Sequence, residues 1–180
     1  MKKILILLTS ALLISSCTSP TKVSAPGVVT SCDQIRLLES ADKLILMPCL
    51  GGSGEINFHQ IKGPLLINVW GSWCEGCKQE MSYFVELYQN PLFKSGQIQM
   101  LGINVEEKSK DDAIKYIQKS GMSWPNLEAT SGISKSIFGP GVPVTWFIDE
   151  NGKTVETKIG AYTTKKQLFN QLEQAFGVKL

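Results

Sequence analysis

Along the chain, apolar positions fall into short runs separated by turn signals. The first run, Ile4 to Ile14, follows Lys2 and Lys3 and ends at the small residues Ser15 and Ser16 before Cys17. It is too short for a bilayer span, which needs ~20 apolar residues. A charged start, a short apolar run and a small-residue end instead predict a secretory signal that is removed. Thr18 to Thr30 is rich in Ser, Thr and Pro and has no hydrophobic period, so it reads as a flexible tether. Ile35, Leu37 and Leu38 suggest a short helix over Cys32 to Ala41. Leu44 to Met47 suggests a strand stopped by Pro48. Gly51-Gly52-Ser53-Gly54 is a turn, and the loosely alternating Ile56, Phe58 and Ile61 end at Gly63-Pro64.

Leu65 to Trp70 is apolar throughout except for Asn68, as expected of a strand covered on both faces. Helical spacing follows from Cys74 to Tyr88 through Met81, Phe84, Val85, Leu87 and Tyr88, and Asn90-Pro91 ends or kinks it. Ile98 to Val105 is a second strand. Ser109 with Asp112 three residues later resembles a capping box. It opens a helix over Asp111 to Lys119 with Ala113, Ile114 and Ile117 as its stripe, closed by Gly121. Trp124 to Leu127 leads into a short strand, and Ser131 to Phe138 suggests a short helix. Val144 to Ile148 and Val155 to Ile159 form a hairpin around Asn151-Gly152. Thr163 or Thr164 caps a last helix carrying Leu168, Phe169, Leu172 and Phe176. The order β-α-β-α-β-β-α, after a β-prone lead-in, predicts an α/β fold with a central mixed sheet flanked by helices. The organisation is a signal at 1–16, a tether at 17–31 and a domain at 32–180 whose core runs over about 44–177.

Composition narrows the function. Without Lys2 and Lys3, sixteen basic side chains face sixteen acidic ones, so there is no nucleic-acid footprint. His59 is the single histidine, which excludes a His-rich metal site. Ile14-Ser15-Ser16-Cys17 is similar to a bacterial lipobox, which implies lipidation of Cys17 and an anchor to the cell membrane; ordinary secretion or an uncleaved anchor are the other readings. Outside the cytosol disulfides persist. Four cysteines remain, with three possible pairings. Cys74 and Cys77 share one helical turn, leaving Cys32 and Cys49 as a structural disulfide, a pair of free thiols or a second exchange pair.

The chemistry concentrates at Cys74-Glu75-Gly76-Cys77. A cysteine at the start of a helix faces free N–H groups and the positive end of the helix dipole, which favours a thiolate. Cys74 is therefore the expected nucleophile. Cys77, more enclosed, is the expected resolving thiol, in exchange through a mixed disulfide. Glu75 opposes the Cys74 thiolate and makes the couple more reducing. Glu80 shares the helix face of Cys77, either as a proton relay or as a solvated side chain. Trp73 flanks the first sulfur.

Trp73-Cys74-Glu75-Gly76-Cys77 after a buried strand resembles the active site of the thioredoxin superfamily, and Gly141-Val142-Pro143-Val144-Thr145 resembles its cis-proline loop. The exported layout, the Trp-Gly-Ser-Trp-Cys approach and the added central helix are similar to the TlpA/ResA-type membrane-anchored thiol–disulfide oxidoreductases. The resemblance spans roughly Leu44 to Gly177. It implies a thioredoxin-like fold, a cis bond before Pro143 and a substrate-facing role for Val142, Pro143 and Trp73. It also implies a relay role for Glu80. Met81-Ser82 and Gly76 depart from the prolines common in that family.

The expected activity is reduction of disulfides in exported proteins, apocytochrome c before haem attachment among them. A membrane thiol carrier would supply electrons to a monomer that needs no cofactor. The alternatives are an oxidase that introduces disulfides, an isomerase, and a non-enzymatic anchored scaffold in which Cys74–Cys77 is structural. A zinc site lacks ligands. Haem attachment would need His where Lys78 stands, and Trp73 and Ser72 replace the Pro and Thr that precede a peroxidase cysteine.

Overall fold

A computed structural model describes residues 25–180. The expected signal at 1–16, the lipidation site Cys17 and the first part of the tether lie outside the described residues. A hairpin of β1 (Leu46–Pro48) and β2 (Glu55–Asn57) leads in through a 3-10 turn over Phe58–Gln60. The main body runs β3 (Leu65–Trp70), α1 (Glu75–Leu87), α2 (Pro91–Lys94), β4 (Gln99–Val105), α3 (Lys110–Ser120), β5 (Asn126–Ala129) and α4 (Ser131–Phe138). It closes with β6 (Val144–Ile148), β7 (Thr154–Ile159) and α5 (Lys165–Phe176). The five-stranded sheet has the order β5-β4-β3-β6-β7, parallel on the β4 and β5 side and antiparallel at β6 and β7. The expected mixed sheet between helices is present; the short strand and helix read after Trp124 and over Ser131 to Phe138 are β5 and α4, and α2 is added after Asn90.

Strand alternation sorts β3 between two cores. Leu66 and Trp70 join Met81, Phe84 and Leu87 of α1, Ala113 and Ile117 of α3, and Leu168 and Leu172 of α5. Leu65, Ile67 and Val69 join Met47, Phe58 and Phe138 on the other face. Asn68 has the parity of Leu66 and Trp70, so its amide is aimed at α1. Thr145 of β6 is paired across from it, and both are fully buried.

Local signals set the helix ends. Ser109 caps α3 by accepting from the Asp112 N–H, Thr164 caps α5 by accepting from Gln167 N–H, and Gly121 and Gly177 end these helices at positive φ. Asn90 caps α2 as a separate turn, so α1 ends at Leu87. Gly102 of β4 lets Trp70 Nε1 reach Asn126 Oδ1 at 3.0 Å, because a Cβ there would run into that amide.

Two expectations need correction. No helix forms over Cys32 to Ala41. Leu37 bridges to Ile61, the Leu38 N–H donates to Gln60 O and the Lys62 N–H donates to Arg36 O, so the segment is held extended against the chain around Ile61. Nor does the tether run to residue 31. Gly27 and Val28 donate to Gln118 O and Met122 O at 2.8 and 2.7 Å, and Thr30 bridges to Pro125. Gly27 lies so close to Ile117 O and Met122 O that any side chain there would collide with backbone.

Candidate active site

The approach to the dithiol is pinned before the helix starts. The Glu107 carboxylate accepts from Ser72 N–H at 2.5 Å, Ser72 Oγ at 2.7 Å and Asn104 Nδ2 at 2.9 Å. Trp73 Nε1 donates to Val105 O at 3.3 Å, leaving the ring half exposed. Glu106 between them has φ 54°, a left-handed conformation that costs a non-glycine residue energy, and its carboxylate pairs with Lys135 at 3.5 Å.

Cys74 is the N-cap of α1. Its Sγ accepts from the Cys77 N–H at 3.1 Å, and the two cysteines are joined as a disulfide with Cα atoms 5.3 Å apart. Cys74 keeps 5% of its surface exposed and Cys77 none. Glu75 points into solvent, 3.5 Å from Lys78. A Cβ on Gly76 would lie 3.3 Å from Pro143 Cδ and 3.4 Å from Ala161 Cβ. The loop between the sulfurs therefore packs on the Pro143 ring, and the Val142–Pro143 bond is cis. Trp73 and Val142 line one cleft with Val105, Phe138 and Pro140.

Beneath the dithiol, Glu80 is fully buried on α1. Asn68 Nδ2 donates to its Oε1 at 3.2 Å and the Tyr162 N–H to its Oε2 at 2.8 Å. Burial pushes its carboxyl up to about 7 from the usual 4.5. The Tyr162 N–H, the Asn68 amide and the charge of Lys158 offset part of that rise. Burial, reinforced by the Glu80 charge, also raises the phenols of Tyr116, to about 12, and Tyr162.

Of the residues singled out from sequence, the fold thus brings Trp73, Cys74, Cys77, Glu80, Val142 and Pro143 together. Cys32 and Cys49 are joined elsewhere, at the β5 edge, with Cα atoms 6.1 Å apart and Cys49 bridged to Leu127. Asn68, Tyr162 and Glu107 were not anticipated as site residues. The one signal for Asn68 is a lone polar residue in a fully buried strand. Glu107 and Tyr162 carry no local signal of a place in the site, because the contacts that tie them to it, with Ser72 and Glu80, are distant in sequence.

The AhpC/TSA family matches residues 45–168. The thiol-disulfide oxidoreductase ResA of Geobacillus thermodenitrificans is 30% identical over 135 residues, covering 74% of this chain and 75% of the relative. ResA of Bacillus subtilis is 30% identical over 111 residues, covering 61% of this chain and 60% of the relative. StoA of Bacillus subtilis superposes with a TM-score of 0.56 at 22% identity, covering 70% of this chain and 93% of StoA. A secreted disulfide oxidoreductase of Mycobacterium tuberculosis superposes with a TM-score of 0.61 at 15% identity, covering 72% of this chain and 95% of that one. At those identities the structures establish a shared thioredoxin-like fold. The helix-capping dithiol, the cis-proline packed on it and the ResA relatives together place the chain in the AhpC/TSA family, among its thioredoxin-like thiol–disulfide oxidoreductases.

Proposed function

We propose that the protein is exported, anchored to the cell membrane through lipidated Cys17, and reduces disulfides in other exported proteins. The observation that carries the direction is Glu80. A buried carboxyl held near 7 lies one turn along α1 from Cys77 and can take up and give back a proton at neutral pH. When ionised it disfavours a thiolate on Cys77, and Glu75 disfavours one on Cys74. Both charges oppose the stabilisation that the helix N-terminus gives the Cys74 thiolate, and a reduced form whose thiolates are less stabilised gives up its electrons more readily, the opposite of a strong oxidant.

In the cycle, the Cys74 thiolate attacks one sulfur of a client disulfide. A Cys74–client disulfide forms and the other client sulfur leaves as a thiolate. Cys77 passes its proton to the Glu80 carboxylate and attacks Cys74 Sγ, releasing the second client thiolate and closing Cys74–Cys77. Two electrons pass to the client, whose two sulfurs take up protons. A membrane dithiol carrier restores the enzyme. Trp73 and Val142 flank the cleft an extended client segment would occupy beside Pro143. Apocytochrome c before haem attachment is a client of the right chemistry, because its paired cysteines must be reduced to accept haem. The protein acts as a monomer.

The deciding experiment is the equilibrium potential of Cys74–Cys77 in the chain from Thr18 to Leu180, titrated in thiol buffers with the cysteines mapped by alkylation and mass spectrometry. A value at or below about −270 mV is expected of the reductase. A value near about −120 mV would make the protein a disulfide-introducing oxidase.

A further inference from the structure

We propose that Lys158 is a positioning residue of the dithiol site: its ammonium fixes the strap Ile159 to Tyr162, which joins the cis-proline loop, the dithiol loop and the Glu80 carboxylate. The functional consequence rests on the proton-relay role given to Glu80 above.

The remaining residues of the β7 edge strand are exposed, and a lysine on such a strand ordinarily sends its ammonium into water. Lys158 turns back instead. Its Nζ donates to Ile159 O at 2.8 Å and to Gly160 O at 3.1 Å, and sits 5.6 Å from the centre of the Tyr162 ring. Two successive carbonyls aimed at one cation hold the chain in a tight bend, and Gly160 supplies the φ of 83° that the bend requires.

Each of the next residues in that bend touches a different part of the site. The Gly160 N–H donates to Pro143 O at 2.9 Å, at the cis-proline. The Ala161 methyl lies 3.4 Å from where a Cβ on Gly76 would be, between the two sulfur-bearing residues. The Tyr162 N–H donates to Glu80 Oε2 at 2.8 Å. A change at Lys158 therefore reaches the client-facing loop and the buried acid together.

The ammonium also acts through its charge. Asn68 from β3, Tyr116 from α3, and Tyr162 and Lys158 from β7 and the strap after it face Glu80. The amide is neutral, and both phenols hold their protons at neutral pH because burial raises them. Lys158 is the cation that favours the Glu80 carboxylate.

The test compares Lys158→Met, Lys158→Gln and Lys158→Arg in the oxidised chain from Thr18 to Leu180, which contains every described residue. The Glu80 side-chain carboxyl is followed by carbon NMR against pH. Met and Gln should raise its midpoint by roughly half a pH unit or more, whereas Arg, which keeps the charge and the donors, should restore it. In the same variants reduced to the Cys74/Cys77 dithiol, the acid limb of the pH–rate profile for client reduction should move with it, and in the oxidised form amide exchange at Gly160 and Tyr162 should quicken in Met and Gln alone. A Glu80 midpoint unmoved by both Met and Gln, or moved equally by Arg, overturns the assignment. If Glu80→Gln leaves the rate profile of the wild-type unchanged, the relay role falls, and the NMR midpoint still decides Lys158.

Discussion

Replacing Glu80 by Gln should remove the pH dependence that this residue gives to stability. In the folded chain its carboxyl is pushed up to about 7 by burial, whereas in the unfolded chain it returns to 4.5. Between those values the folded state holds a proton that the unfolded state has lost. The stabilisation is fully present below the unfolded value and is lost as pH rises through the folded one. A rise of this size corresponds to about 3 kcal/mol, and the part of it that falls between about pH 5 and pH 8 is roughly 2–3 kcal/mol. Glu80→Gln does not titrate. Its amide can still accept from the Tyr162 N–H or the Asn68 amide, and any weakened hydrogen bond is an offset that does not change with pH. Urea unfolding of the two oxidised proteins at about pH 5 and pH 8 should therefore give a stability difference that moves toward the variant by roughly 2–3 kcal/mol, or ~5–10 °C in Tm for a domain of this size. A difference that stays constant within about 0.5 kcal/mol over that range would show that Glu80 is ionised throughout in the folded protein, and would refute both the burial argument and the proton relay drawn from it.

Two further outcomes follow from the cysteines. Cys74→Ser should abolish turnover, and Cys77→Ser should accumulate mixed disulfides with client proteins, visible on non-reducing gels and by mass spectrometry; full activity in either variant would remove the two-sulfur mechanism. The double change Cys32→Ala with Cys49→Ala should cost about 3 kcal/mol in urea unfolding, as expected for a closed loop of 17 residues, while leaving the Cys74–Cys77 potential where it was; a shift in that potential would show that the two pairs exchange electrons.

Much of the fold was legible because its signals are local. Leu65 to Trp70 reads as a doubly covered strand since only Asn68 breaks its apolar run, and both faces of β3 are indeed buried. Ser109, Gly121 and Asn151-Gly152 mark their boundaries through capping and turn chemistry that needs no tertiary partner. The segment after Cys32 misleads for the opposite reason. Ile35, Leu37 and Leu38 approximate a helical spacing, but hydrogen bonds from Leu38 to Gln60 and from Lys62 to Arg36, with a chain end fixed by the Cys32–Cys49 bond, outweigh that weak preference. Gly27 to Thr30 lacks any hydrophobic period, yet it is fixed by backbone hydrogen bonds, which composition does not encode.

The dithiol divides along the same line. Cys74, Cys77 and Glu80 share one helix, so their spacing alone puts Cys77 about one turn beyond Cys74 and Glu80 about one turn beyond Cys77. What makes Glu80 a titrating group at neutral pH comes from elsewhere: burial under α1, an amide from β3 and an N–H from the strap after β7. Strand parity connects the two levels. Because side chains alternate along β3, a polar residue at 68 must face the same helix as Leu66 and Trp70, and Thr145 pairs with it across the strand. Their amide and hydroxyl give this face a polar patch, with Asn68 donating to Glu80 and Thr145 bonding to Tyr162. An apolar residue at 68 would leave Glu80 without its amide partner and raise its carboxyl further, so the same position that interrupts the hydrophobic run is one that keeps the acid near the pH at which it can exchange a proton with Cys77.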